Sequence, residues 1–112
     1  MGIGFNKESI MDKKATITHG GETYYLTLAE YAYGGRTAVQ MWCSWGEPYA
    51  DVSVNIMGEI IEGNEIAVDT NNLPEWVLPC LRENGIVGET KRTACSGFCV
   101  YPVVDVNKGK FV

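Results

Sequence analysis

Alternating apolar and polar residues predict β-strands near the start of the chain. In residues 13–19 apolar side chains alternate with threonines, and residues 22–33 continue the alternation after a glycine pair. A period of two places the apolar side chains on one face of a strand. Gly20 and Gly21 predict a tight turn between the two strands, because glycine adopts positive φ angles at little cost. This segment is therefore expected to form a β-hairpin.

The clearest alternation lies in residues 36–56. Apolar side chains occupy every second position in residues 36–43 and again in residues 48–56, and the sequence Ser-Trp-Gly-Glu at residues 44–47 separates the two runs. Turn-forming residues between two alternating runs predict a second hairpin. Four sequential strands joined by short turns would make an antiparallel meander.

The second half of the chain predicts fewer strands. Residues 65–70 form a short apolar run, and residues 91–95 and 98–105 flank a Ser96-Gly97 turn. The last two runs predict a further hairpin, in which Pro102 indicates an edge strand or a bulge because it cannot donate a ladder hydrogen bond.

A helix is predicted before this last hairpin. Asn71 or Asn72 can cap its start, Pro74 suits the first turn, and Gly85 suits the C-terminal end. Apolar residues recur at three- and four-residue spacing, as expected for one buried helix face: Trp76, Val77, Cys80 and Leu81. If Pro79 lies beyond the first turn, it removes a hydrogen bond and either kinks the helix or divides it into two short pieces.

Together these elements predict an α+β fold. We expect an antiparallel sheet of about six strands, built as a meander of hairpins, with one short helix packed on one face. A length of 112 residues fits a single domain, which we place at residues 13–106. Residues 1–12 are expected to be a flexible lead-in, and residues 107–112 a C-terminal tail.

The charge is unevenly distributed along the chain. Residues 37–81 contain seven acidic residues and no lysine or arginine, whereas the remainder contains seven acidic and nine basic residues. This distribution indicates either an acidic face that keeps a small protein soluble, or a surface that engages a basic partner. Direct binding of nucleic acid is disfavoured there, because that affinity depends on basic side chains at the phosphates.

Aromatic residues accompany the acidic segment and suggest a binding surface. Aromatic side chains are common anchors of protein interfaces. The candidate partner-binding residues, four near one hairpin end and two in the following loop, are Trp45, Glu47, Tyr49, Asp51, Glu59 and Glu62. The alternative is that the aromatic residues form a second, smaller core under the helix or a partner subunit.

The sequence predicts neither an enzyme nor a cofactor or metal site. It contains no phosphate-binding loop, dinucleotide fingerprint or nucleophile elbow. His19, Cys95 and Cys99 have the residue types of a zinc site, but the cysteine spacing is loose and a second pair is missing. A Cys95–Cys99 disulfide remains an alternative, although four cysteines in a chain without an export signal fit a reduced cytoplasm better. The sequence has no apolar run long enough to span a membrane.

Four short motifs resemble a family of small domains of unknown function carried by conjugative elements, plasmids and phages. They are YGGRTAVQ at residues 33–40, GEPYA at 46–50, VSVN at 52–55 and DTNN at 69–72. The resemblance covers the chain from about residue 13 to residue 101 and implies no catalytic residues. Its gene context implies an accessory or anti-defence role.

The leading hypothesis is a non-enzymatic inhibitor from a mobile element. It would act through an acidic, aromatic-bearing surface on a protein with a basic surface, such as a CRISPR effector, a restriction enzyme or another nucleic-acid-binding defence nuclease. The alternative is a cytoplasmic interaction module or homodimeric assembly module.

Overall fold

The computed structural model describes residues 13–112, which form eight strands in two four-stranded antiparallel sheets. The first sheet contains, in spatial order, β1 (Lys14–His19), β2 (Glu22–Glu30), β3 (Thr37–Cys43) and β4 (Pro48–Asp51). The second contains β5 (Ser53–Val54), β6 (Glu65–Val68), β8 (Cys99–Asp105) and, at its edge, β7 (Arg92–Ser96). One helix, α1 (Val77–Glu83), and a 3-10 helix at Lys108–Lys110 complete the fold. The predicted lead-in, residues 1–12, lies outside the described residues.

The α+β class is confirmed, but the expected single sheet of about six strands is not. The predicted strand at residues 48–56 changes sheet at Val52. The Val52 amide donates to the Val39 carbonyl in the first sheet, and its carbonyl accepts from the Asp69 amide beside the second sheet. The alternation continues through this crossing because both sheets face one core, so the pattern alone does not reveal the change of sheet.

The helix begins later than predicted. Neither predicted cap acts at the helix: Asn71 Nδ2 donates to the Val100 carbonyl, and Asn72 Nδ2 donates to the Asp69 carboxylate. The Asp69 carbonyl accepts from the Asn72 and Leu73 amides, which forms a turn ahead of the helix. The residue before the helix is Trp76, which makes no side-chain cap bond. Pro79 is therefore the third helical residue, where a missing N–H removes no helical hydrogen bond.

The main core lies between the two sheets and the helix. Fully buried side chains from β1–β3, β6, β8 and α1 meet there, among them Ile17, Leu26, Met41, Val104 and Leu81. Burial of each such side chain contributes about 1.5–3 kcal/mol. A smaller cluster that includes Ile56 and Ile61 covers the other face of the second sheet.

The C-terminal residues pack on this domain. Phe111 is buried in the main core, and Val112 exchanges two backbone hydrogen bonds with Lys14 at the edge of β1. The predicted tail, residues 107–112, thus lies against the first strand.

In the part of the chain described here, no helix is long and apolar enough to cross a membrane, and α1 has seven residues.

Candidate partner-binding site

A tight turn between β3 and β4 presents Trp45 and Glu47. The Cys43 amide donates to the Glu47 carbonyl at 2.8 Å, and the Gly46 amide donates to the Cys43 carbonyl at 3.0 Å. Gly46 has a φ of +98°, which explains why glycine stands there. Trp45 is 65% exposed, and its indole Nε1 donates to Glu47 Oε1 at 2.7 Å. The exposed indole is therefore held in place by its neighbour.

Trp45 borders a cavity of about 340 Å³ on the face of the first sheet that points away from the core. We call this the outer face; its strand residues include Tyr25, Thr27, Gln40 and Trp42, and Asp51 lies on it opposite Gln40. Tyr25 and Trp42 are cross-strand partners, and the Trp42 Nε1 donates to Thr27 Oγ1 at 2.8 Å.

A cation already occupies one part of this face. Lys14, which also lines the cavity, places its Nζ 4.9 Å from the centre of the Tyr25 ring. Such a cation–π contact contributes about 0.5–1 kcal/mol at an exposed site. The face is therefore chemically suited to positive groups.

Tyr49 lies apart from Trp45, on the helix side of the first sheet. A bulge between Met41 and Trp42 adds a residue to β4 and turns Tyr49 toward Tyr24 and Trp76. Burial and the neighbouring Tyr49 hydroxyl raise the pKa of Tyr24. Tyr49 therefore belongs to a second aromatic cluster with Tyr24, Trp76 and His19.

Asp51 shares the outer face with the tryptophans. Its Oδ1 accepts from the buried Gln40 Nε2 at 3.2 Å, so the carboxylate is anchored while the residue stays exposed. Tyr31 covers the outer face farther along the strands and donates or accepts a 2.8 Å hydrogen bond with Ser53 Oγ. Burial raises the pKa of Tyr31 to about 12.

Glu59 and Glu62 lie in the loop before β6, beside the second sheet. Glu59 Oε2 accepts from the Cys95 amide at the outer edge of β7, and Glu62 contacts Glu65 through its amide and carbonyl. Arg92 lines the same depression as Glu59, Glu62 and Glu65. The six candidate residues therefore separate. Tyr49 joins the helix-side cluster, and Glu59 and Glu62 lie beside the second sheet. Trp45 and Glu47 are in contact in the β3–β4 turn, and Asp51 lies on the outer face of the same sheet.

Basic side chains from distant parts of the chain partly neutralise the acidic segment. Arg92 and Lys91 both bind the Glu65 carboxylate, at 2.8 and 2.7 Å, and the Arg36 guanidinium donates to the carbonyls of Ile56 and Glu59 at 2.6 Å each. Within residues 37–81, Glu65 is thus neutralised by ion pairs, whereas Glu47 and Asp51 form no salt bridge with a basic side chain of the described residues.

The thiol and imidazole groups are dispersed. In the β7–β8 register Cys95 opposes Val100 and Cys99 opposes Ser96, so the two cysteines point to opposite faces and both are free thiols. His19 stacks on Trp76 at 3.9 Å between ring centres. Among residues 13–112, no cluster of three or more His, Cys, Asp or Glu side chains has the geometry to hold a metal.

Burial also affects the Cys80 thiol, which contacts β1 at Thr18. The buried Cys80 thiol donates to the carbonyl of Thr18 at 3.8 Å. Burial, and secondarily the Glu83 carboxylate, raise the pKa of this thiol, which disfavours the reactive thiolate.

Sequence reasoning counted Tyr25 and Trp42 among the clustered aromatic residues but did not select them as site residues, and it overlooked Lys14. The strand register could have located these residues. With the Gly20-Gly21 turn placed, Lys14 and Tyr25 lie on the same face of the β1–β2 hairpin. Trp42 then pairs with Tyr25 in the next strand. The cavity itself depends on the turn geometry after β3, which the alternation does not specify.

Comparison with known proteins gives one match. A family model described as a domain of unknown function, DUF4313, matches residues 25–111, which are 87 of the 112 residues. The match spans both sheets from β2 onward, the helix and nearly the entire C-terminal segment. Neither the curated proteins nor the solved structures gave a significant match.

Proposed function

We propose a non-enzymatic binding function for this chain, which belongs to the DUF4313 family, a family defined by a domain of unknown function. The observation that carries the proposal is the fixed, exposed Trp45. Its indole is 65% exposed yet bound to Glu47, and it stands beside a cavity lined by further aromatic side chains. Rigid, exposed tryptophans are typical anchors of protein interfaces, because little conformational entropy is lost when they bind.

The partner is a protein with a basic surface. Glu47 and Asp51 lie with Trp45 on the first sheet, and the whole chain carries a net charge of −5. Acidic residues around an aromatic anchor attract a basic surface and accelerate association. Nucleic acid itself is a poor partner for this face, since its phosphates would meet carboxylates.

The resemblance of the chain to proteins of mobile elements suggests the biological setting. We place the chain in the cytoplasm as an anti-defence inhibitor, which occupies the nucleic-acid groove of a CRISPR effector, a restriction enzyme or another defence nuclease. Such a groove is lined by basic side chains that bind phosphates, so an acidic surface with a central aromatic anchor is a suitable competitor.

Binding to purified defence nucleases tests this function. We expect the chain to bind one of them, to inhibit its cleavage of DNA and to lose affinity at high salt. Trp45→Ala should weaken binding about 30-fold, which corresponds to a hot-spot loss of about 2 kcal/mol. Joint reversal of Glu47 and Asp51 to lysine should reduce the association rate and the salt dependence.

Glu89→Lys is the matched control, because the Glu89 side chain is 87% exposed and lies far along the chain beside Arg82. It should leave binding and inhibition close to those of the unsubstituted chain. If the Glu47/Asp51 double reversal left both unchanged as well, the acidic-surface mechanism would be wrong.

A homodimeric assembly module is the second candidate, favoured by an apolar patch at the β7–β8 hairpin. Phe98 at its tip is fully exposed, and Val100 and Ile60 are 51% and 72% exposed. A mass that rises with protein concentration, and that is insensitive to salt but lowered by Phe98→Ser, would favour this function over the inhibitor.

A further inference from the structure

The two tryptophans of the cavity beside Trp45 offer ring faces rather than hydrogen-bond donors. Both of its tryptophans already use their only donors within the chain: Trp42 Nε1 bonds to Thr27 and Trp45 Nε1 bonds to Glu47. An indole has no other hydrogen-bonding group. A group that enters this cavity therefore meets the rings of Trp42, Trp45 and Tyr25. Three further polar side chains line the cavity: Lys14, Thr27 and Ser44.

The electrostatics of these rings favour a cation. Tryptophan gives the strongest cation–π attraction of the aromatic side chains. The Trp45 indole donates to the Glu47 carboxylate at 2.7 Å, which places a negative charge beside this ring. The ammonium of Lys14 already lies 4.9 Å from the Tyr25 centre, so the chain itself places a cation on this surface.

The volume of the cavity and the shape of the cation restrict which group can occupy the cavity. A volume of about 340 Å³ is at the low end of the roughly 300–1,000 Å³ range of ligand pockets, so it suits one side chain better than a whole cofactor. The Lys14 ammonium lies over the Tyr25 ring. A guanidinium suits the indole rings better than an ammonium does, because it is planar, weakly hydrated and stacks on aromatic rings.

We propose that the Trp42–Trp45 cavity is the receptor for an arginine side chain of the protein partner. The proposal deepens the binding function argued above and rests on it. The guanidinium stacks on the two indoles, and the Glu47 carboxylate beside Trp45 balances its charge. The class of partner is thereby narrowed to proteins that present an exposed arginine within a basic surface.

Titration of the full chain with an arginine probe tests the proposal without any protein partner. N-acetyl-arginine-amide is added while the two indole N–H resonances of Trp42 and Trp45 are followed by NMR. We expect saturable shifts with a Kd on the order of 1 mM, as befits a single side chain. N-acetyl-lysine-amide should bind about 10-fold more weakly, since it lacks the planar guanidinium.

Two variants assign the binding to the cavity. Trp45→Ala removes one wall of the cavity at an exposed position, and Glu47→Gln removes the carboxylate that balances the guanidinium charge. Each variant should bind the arginine probe at least about 5-fold more weakly, a difference of about 1 kcal/mol. Glu89→Gln makes the same charge change at an exposed site beside Arg82 and should leave the Kd unchanged.

The outcomes separate the cavity from the wider function. No saturable shift with the arginine probe, or stronger shifts with adenosine monophosphate than with the arginine probe, would overturn the arginine receptor. Partner binding that persists in that case, and still depends on Trp45, would leave the binding function standing. Binding of the arginine probe without any captured nuclease would support the cavity and contradict the anti-defence role.

Discussion

At the scale of single residues, Glu65 is held by charge-assisted hydrogen bonds from two basic side chains. Its carboxylate accepts from both Arg92 Nη atoms and from Lys91 Nζ, all within 2.9 Å, and its side chain is only 11% exposed. A carboxylate with several charge-assisted hydrogen bonds is stabilised in its ionised form. These contacts, above all the one with Arg92, lower the pKa of Glu65 well below its usual value of 4.5.

The lowered pKa predicts a loss of stability in acid. The ionised Glu65 contributes fully to the free energy of unfolding at pH values well above its unfolded-state pKa of about 4.5. This contribution is lost progressively as the pH falls below 4.5 toward the folded-state pKa. Glu65→Gln should lower the free energy of unfolding by about 1–3 kcal/mol at pH 7 and by much less at pH 3. Urea unfolding at both pH values measures this difference.

Glu89→Gln serves as the control for Glu65→Gln. The Glu89 side chain is 87% exposed and 3.6 Å from Arg82, so its loss should leave the unfolding curve unchanged. An equal effect of Glu65→Gln at both pH values would show that packing, rather than the ion pairs, explains the role of Glu65.

The sequence could indicate the acidic segment but not its neutralisation. Glu65 was visible as one of seven acidic residues in a segment without bases, and its partners Lys91 and Arg92 follow 26 and 27 residues later. Only the pairing of β6 with β8, and of β8 with β7, brings them together. Charge patterning is one-dimensional, whereas the electrostatic surface depends on strand order.

At the scale of secondary structure, Pro79 distinguishes the alternatives left open by the sequence. The helix starts at Val77, so Pro79 lies in the first turn, where no helical hydrogen bond is lost. Pro79→Ala should therefore change the free energy of unfolding by less than about 1 kcal/mol. Glu83→Pro, at an exposed position beyond the first turn, should cost about 3 kcal/mol or more. Chemical denaturation of both variants makes the comparison.

A large gain in stability from Pro79→Ala would contradict this placement of the helix. It would mean that proline strains the helix in the native chain, as expected for a kinked or divided helix.

The hairpins were largely predictable because their signals are local. The turns at Gly20-Gly21 and at residues 44–47 lie where the sequence placed them, and the strands around them begin and end within a few residues of the prediction. The change of sheet at Val52 was not predictable, since a buried valine satisfies the alternation of either sheet. The sequence also grouped Trp45 with Tyr49, because it does not reveal the bulge in β4 that turns Tyr49 toward the helix side.

At the scale of the whole molecule, the C-terminal segment completes the core. Phe111 is 4% exposed within the main cluster, and Val112 exchanges backbone hydrogen bonds of 3.2 and 3.0 Å with Lys14. Val112 therefore pairs with the first residue of β1 at the outer edge of the sheet, where unpaired backbone groups are available to another chain. This arrangement links the stability of the outer face, which carries Lys14, to residues at the opposite end of the sequence.

Substitution of Phe111 tests this closure. Phe111→Ala should lower the free energy of unfolding by about 3–5 kcal/mol, because it leaves a cavity in the main core. Val112→Ala is the matched control: its side chain is 86% exposed and the backbone bonds to Lys14 persist, so little should change. Both values come from urea unfolding followed by tryptophan fluorescence. If Phe111→Ala lowered the free energy of unfolding no more than Val112→Ala does, the C-terminal segment would not unfold cooperatively with the rest of the domain. The position of Lys14 beside the Trp45 cavity would then not depend on this segment.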